Sequence, residues 1–182
     1  VESEAIRIMI QLILGGARSG KSTLAEQRAT ASGKQVVYVA TAQDLDGEMA
    51  ARIDHHQTRR PNHWLTEEEP VALAEVLARH NTTDTLILVD CLTLWVSNLL
   101  CLDNGIHLEE QKQALLQQLS EQQSDVILVS NETGMGVIPM GKLTRRFVDE
   151  SGWLHQALAA RAHQVTLVVA GLPLQLKPAV TS

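Results

Sequence analysis

Aromatic side chains are scarce in this 182-residue chain, which holds three tryptophans, one tyrosine and one phenylalanine. Trp64, Trp95, Trp153, Tyr38 and Phe147 are too few to build a platform on which successive bases stack, and the core must be aliphatic. Cysteine is nearly missing. Cys91 and Cys101 form neither a CxxC pair nor a dense pattern, and read as two buried thiols in a reducing compartment. An excess of positive charge is also missing: 15 Lys+Arg stand against 21 Asp+Glu, a net charge of -6. That argues against a nucleic-acid binder, which needs a basic face to neutralise phosphates, but a small anionic ligand needs only a few local donors. No apolar run approaches the ~20 residues of a membrane span. The first residues, Val1-Glu2-Ser3-Glu4, lack the basic and then apolar regions of a secretory signal, so the expected location is cytoplasmic.

What is present is a globular composition: 45% hydrophobic and 20% charged residues, enough to bury a core without disulfide or metal staples. Residues 1–8 precede Met9 and read as an N-terminal extension or expression remnant, and residues 9–182 as a single domain. Strands are expected at Met9–Leu14, Gln35–Thr41, Thr85–Asp90, Asp125–Ser130 and, last, Gln164–Ala170. Helices are expected from Gly20 to about Ser32, and over Gly47–Thr58, Pro70–Arg79, Leu92–Leu102, Leu108–Gln123 and Lys142–Ala162. Several strands are continuous apolar runs, as in strands buried on both faces. The alternation predicts an α/β three-layer sandwich, a mostly parallel sheet covered by helices on both faces. Gly134–Gly141 (GMGVIPMG) stands out as a loop of functional composition.

Gly15-Gly16-Ala17-Arg18-Ser19-Gly20-Lys21-Ser22 fits G-x-x-x-x-G-K-[ST] without a mismatch, between an apolar strand and a helical pattern. The glycines let the backbone wrap so that its N–H groups face phosphate oxygens, and the helix N-terminus adds positive potential. Lys21 supplies a cation for the β- and γ-phosphates, and Ser22 a hydroxyl for Mg²⁺. Asp90, closing TLILVD, is the candidate carboxylate for the same ion, because it sits where a parallel strand emerges. A signalling GTPase is disfavoured. Ser130-Asn131-Glu132-Thr133 lacks the Lys and Asp of N-K-x-D, and Asp44-Leu45-Asp46-Gly47 follows the wrong strand for a switch.

Asp54-His55-His56 lies on the helix expected after the second strand. Three readings of the pair stand side by side. A metal site would prefer i and i+4 spacing, since i and i+1 point about 100° apart. A solvated or capping histidine is the plain reading. The third is a nucleophile, since a neutral imidazole can carry a nucleotidyl group as a phosphoramidate. Spacing does not choose among them.

The chain from Met9 to about Leu176 resembles the bifunctional adenosylcobinamide kinase / adenosylcobinamide-phosphate guanylyltransferases of cobalamin biosynthesis. The resemblance rests on GGARSGKS at 15–22, YVAT and Gln43 at 38–43, EMAARIDHHQTRRPNHW at 48–64, VDCLT at 89–93, SNETGMGVIP at 130–139 and RRFVDESG at 145–152. It implies a P-loop NTPase-like domain, assembled as a homotrimer. It implies phosphorylation of adenosylcobinamide from ATP or GTP, then transfer of GMP from GTP to adenosylcobinamide phosphate through a GMP-histidine intermediate. The guanylylated residue of the family's segment falls on His55. His56, Gln57, Thr58 and Arg59 would line the GTP site, with Thr41, Ala42, Gln43, Glu68 and Asp90. One departure is His155-Gln156, where the family tends to carry Asn-Gln. The rivals are a plain small-molecule kinase and a nucleotide-binding regulator without catalysis.

Overall fold

The computed structural model describes residues 8–42 and 61–178. The elements run β1 (Ile10–Gly15), α1 (Lys21–Ala31), β2 (Gln35–Ala40), β3 (Leu65–Glu68), α2 (Leu73–Arg79), β4 (Thr85–Asp90), α3 (Leu92–Leu102), α4 (Leu108–Ser120), β5 (Asp125–Asn131), α5 (Lys142–Arg161), β6 (Gln164–Val169) and β7 (Leu172–Lys177). The seven strands form one sheet in the order β3-β2-β4-β5-β1-β6-β7. All neighbours are parallel except β6 and β7.

Strand alternation sends side chains to opposite faces, and both faces are buried. On one face Leu12, Leu14, Val37, Val39, Ile87, Val89, Val126 and Leu128 pack with apolar residues of α2, α3, α4 and α5, around the fully buried Trp95. On the other, Ile13, Val36, Tyr38, Leu86, Leu88, Ile127 and Val129 meet Ala25 and Ala29 of α1, and Trp64. The small alanines let α1 lie close to the strands, which fixes where its N-terminus points. Arg28 on the same helix reaches the sheet, donating to Gln11 Oε1 at 2.9 Å and Thr166 Oγ1 at 3.2 Å.

Five expectations need correction. β6 is not the last strand: β7 follows a turn at Ala170 and Gly171, both at positive φ, and runs antiparallel. Its pattern LPLQLK carries Pro173, which an edge strand tolerates because that residue needs no donor there. β3 was not expected at all, since its LTEE has no apolar run and lies at the opposite edge. α2 starts at Leu73 rather than Pro70, after Glu69 Oε1 accepts the N–H groups of Val71 and Ala72, both at 2.8 Å. α4 ends at Ser120 rather than Gln123. Of the two thiols, Cys91 is buried but Cys101 is exposed. The helix expected over 47–58 lies outside the described residues.

Candidate nucleotide site

The C-terminal ends of β1, β5 and β4 lie side by side, and the loop of residues 15–22 leaves the first of them. Its shape follows from its glycines. A Cβ on Gly15 would lie 2.7 Å from the carbonyl oxygen of Val168 in β6, so only glycine passes there. Gly20 has φ 96°, and its Cβ position lies 3.3 Å from Cα of Gly171. Arg18 also adopts a left-handed φ of 56°. The β6–β7 turn braces the loop from outside, since Gly171 N–H donates to the Ser19 carbonyl at 2.8 Å.

Lys21 opens α1 and is buried. Its Nζ donates to the Gly16 carbonyl at 3.1 Å, so the ammonium spans the mouth of the loop. An ammonium has three donors, and at this place the others suit anionic oxygen. Ser22 is half-buried on the first helical turn, and Gly15, Gly16, Ala17, Arg18 and Ser19 complete the cradle before it.

Asp90 ends β4, two strands from Gly15 and roughly 10 Å away at ordinary strand spacing. Its Oδ2 accepts the Tyr38 hydroxyl at 3.1 Å, which orients the carboxylate. Burial pushes the neighbouring Cys91 thiol up, and the Asp90 charge adds to that shift, whereas the Lys21 charge works against it. The loop cation and the strand-end carboxylate thus act on the same thiol. Among the described residues no three His, Cys, Asp or Glu side chains gather as a metal cage. Ser22 and Asp90 fit instead an ion shared with phosphate oxygens, the usual manner of Mg²⁺.

Other residues read from the sequence stand further off. Thr41 is fully buried; its hydroxyl donates to the Cys91 carbonyl at 2.7 Å and accepts from Cys91 N–H at 3.0 Å, tying the ends of β2 and β4 together. Ala42 follows, half-buried. Glu68 ends the edge strand β3, four strands from Gly15 and roughly 19 Å away, so it belongs to the far end of this edge rather than to the phosphate loop. Gln43, His55, His56, Gln57, Thr58 and Arg59 lie outside the described residues.

The tip of β5 holds residues that stood in the sequence as part of SNETGMGVIP but without a role assigned to them. Asn131 stands opposite Gly15, and its buried Oδ1 has no hydrogen-bond partner. Glu132 donates its backbone N–H to the Gly15 carbonyl at 3.0 Å. Its Oε1 accepts the Gly134 N–H at 2.6 Å, and its Oε2 lies 3.8 Å from His155 Nδ1. His155, on α5, bonds the buried Ser130 hydroxyl through Nε2 at 2.7 Å. Burial lowers the His155 pKa and Glu132 opposes the shift, so the ring is neutral at pH 7. The signal was there: polar residues directly after the apolar run DVILV, the same pattern that pointed to Asp90.

A mostly parallel sheet with a glycine-rich loop between β1 and α1, a buried lysine across that loop and an acid two strands away define a P-loop nucleotide-binding α/β protein. The crystal structure of the RadB recombinase shares this fold, with a TM-score of 0.52 and 20% identity over 87% of this chain and 73% of that one. A family model described as "Cobinamide kinase / cobinamide phosphate guanyltransferase" matches residues 11–176. The bifunctional adenosylcobalamin biosynthesis protein CobP of Pseudomonas aeruginosa is 57% identical, over 93% of this chain and 98% of that protein. The bifunctional adenosylcobalamin biosynthesis protein CobU of Escherichia coli is 40% identical, over 93% of this chain and all of the other. The chain belongs to the cobinamide kinase / cobinamide phosphate guanyltransferase family and is a bifunctional enzyme of that kind.

Proposed function

We propose that both reactions draw on one nucleotide edge. The observation that carries this reading is the buried Lys21 ammonium, held across the loop by the Gly16 carbonyl, with donors left over for phosphate oxygens. In the kinase step ATP or GTP lies in the cradle of Gly15 to Ser22, and the γ-phosphoryl group passes to a hydroxyl of adenosylcobinamide. Little covalent chemistry is asked of the protein there, because placement and charge neutralisation do most of the work. Ser22 and Asp90 would hold Mg²⁺, which when bound neutralises the phosphate oxygens. Tyr38 keeps the Asp90 carboxylate turned to that task.

In the second reaction GMP passes from GTP to adenosylcobinamide phosphate by way of His55. The imidazole nitrogen attacks the α-phosphorus, the bond to the leaving pyrophosphate breaks, and a phosphoramidate forms. The acceptor phosphate then displaces the histidine. Ala42, Gln43, His56, Gln57, Thr58, Arg59 and Glu68 would line the GTP side of this site, and the fully buried Thr41 would support it by tying β2 to β4. The enzyme works as a homotrimer in the cytoplasm, where the nucleoside triphosphates it consumes are abundant. Exposed Trp153 and Leu172 support burial against further copies. The acidic net charge of -6 supports a small-molecule substrate rather than nucleic acid.

Intact mass after incubation with Mg²⁺ and GTP tests the covalent step. One added GMP is expected, lost in His55→Asn and kept in His56→Asn. His55→Asn should keep measurable kinase activity, since γ-phosphoryl transfer to an alcohol needs no nucleotidyl intermediate. An adduct that persists in both variants would sink the histidine route.

A further inference from the structure

The two reactions differ in what they ask of the acceptor. A phosphate monoester is already anionic near neutral pH. An alcohol must lose a proton as it attacks, so the kinase step gains from a base that the guanylyl step does not need. The carboxylates at the C-terminal sheet edge are few among the described residues. Asp90 is engaged by Tyr38 and is the carboxylate proposed above for Mg²⁺. Glu68 and Glu69 belong to the far edge, where Glu69 accepts the N–H groups that precede α2. Glu132 remains, and β5 lies between the phosphate-loop strand β1 and the Asp90 strand β4.

We propose that Glu132 is the general base of the kinase reaction, taking the proton from the attacking hydroxyl of cobinamide. Its backbone is tied to the first glycine of the phosphate loop at 3.0 Å, which sets residue 132 at the sheet edge where that loop begins. The Gly134 N–H fixes Oε1, and His155 Nδ1, 3.8 Å from Oε2, is too far for a hydrogen bond. Oε2 therefore keeps lone pairs for an incoming O–H, and the side chain is 20% exposed, which leaves it open to water. The neighbouring Asn131 Oδ1, buried and without a partner, offers a second acceptor beside the same loop.

The step balances without a further reactant. The hydroxyl oxygen forms the new bond to the γ-phosphorus while its proton moves to Glu132. The bond from that phosphorus to the bridging oxygen breaks, and the nucleoside diphosphate leaves with the electron pair. Glu132 then returns the proton to water at its exposed side.

The test is Glu132→Gln, whose amide oxygen still accepts from Gly134. The quantity read is the ratio of kinase kcat, on cobinamide, to guanylyl-transfer kcat, on cobinamide phosphate. Both are measured on one sample, so the folded fraction cancels. The ratio should fall about 100-fold, with the KM for cobinamide little changed. Glu132→Asp keeps a carboxylate and should recover part of the ratio; it also decides the matter if the glutamine variant does not fold. A ratio that stays near the unsubstituted value, with both activities kept or both lost in parallel, overturns the proposal. So does an equal loss of the ratio in the Gln and Asp variants.

Discussion

Lys21 and Gly15 illustrate two different demands placed on single side chains at this site. Lys21 needs charge and reach. Its ammonium is buried at the start of α1, and the Gly16 carbonyl satisfies one of its three donors. Lys21→Ala should therefore weaken triphosphate binding and abolish both activities. The fold should survive, because alanine is at home at a helix start. Activity assays beside a thermal melt check this, and near-normal turnover would remove the phosphate loop from the mechanism. Gly15 needs absence: any Cβ would press on the Val168 carbonyl, so its role lies in the backbone path and not in contact with the ligand.

β5 and the segment after it show how a strand can both support the sheet and serve the site. Its buried residues Val126, Ile127, Leu128 and Val129 fill both faces, while its tip delivers Ser130, Asn131 and Glu132 beside the phosphate loop. The loop that follows exposes Met135, Val137, Ile138 and Met140, an apolar surface suited to a large, partly apolar substrate. Gly134 and Gly136 do not have positive φ, and a Cβ on Gly136 would meet nothing within 4 Å. Valine thus fits at 136 without strain, and its stiff branched side chain narrows the conformations of the loop. Gly136→Val should raise the KM for cobinamide more than the KM for GTP and leave the melting temperature in place. Lower stability with unchanged kinetics would show the glycine to be structural.

The stability of the molecule as a unit rests on a sheet buried on both faces, and one histidine is caught inside that packing. His155 sits on α5 against Ser130 and Glu132. Its folded pKa is lowered from 6.5, chiefly by burial, so the unfolded chain binds the proton more readily. Stability is then full above the ordinary histidine range and is lost as pH falls through about 6.5 toward the lowered value. His155→Asn removes this titration. The melting temperature of the variant should fall less between about pH 7 and pH 5 than that of the unsubstituted protein. Equal slopes in the two proteins would mean that other groups carry the acid sensitivity.

Much of this protein could be read along the chain. The apolar runs at β1, β2, β4, β5 and β6 declare themselves because strands buried on both faces need hydrophobic residues at every position. The phosphate loop is legible because its chemistry is local: eight consecutive residues supply the turn, the amides, the cation and the hydroxyl. Edge strands carry no such mark. β3 and β7 are exposed and partly polar, and exist because a neighbouring strand offers them hydrogen bonds. The same holds for the tip of β5. That Glu132 lies beside Gly15, that Asn131 Oδ1 is buried, and that Thr41 is spent on tying β2 to β4 all depend on strand order. Strand order is a long-range property, set by which faces the helices can cover, and no local stretch of sequence encodes it.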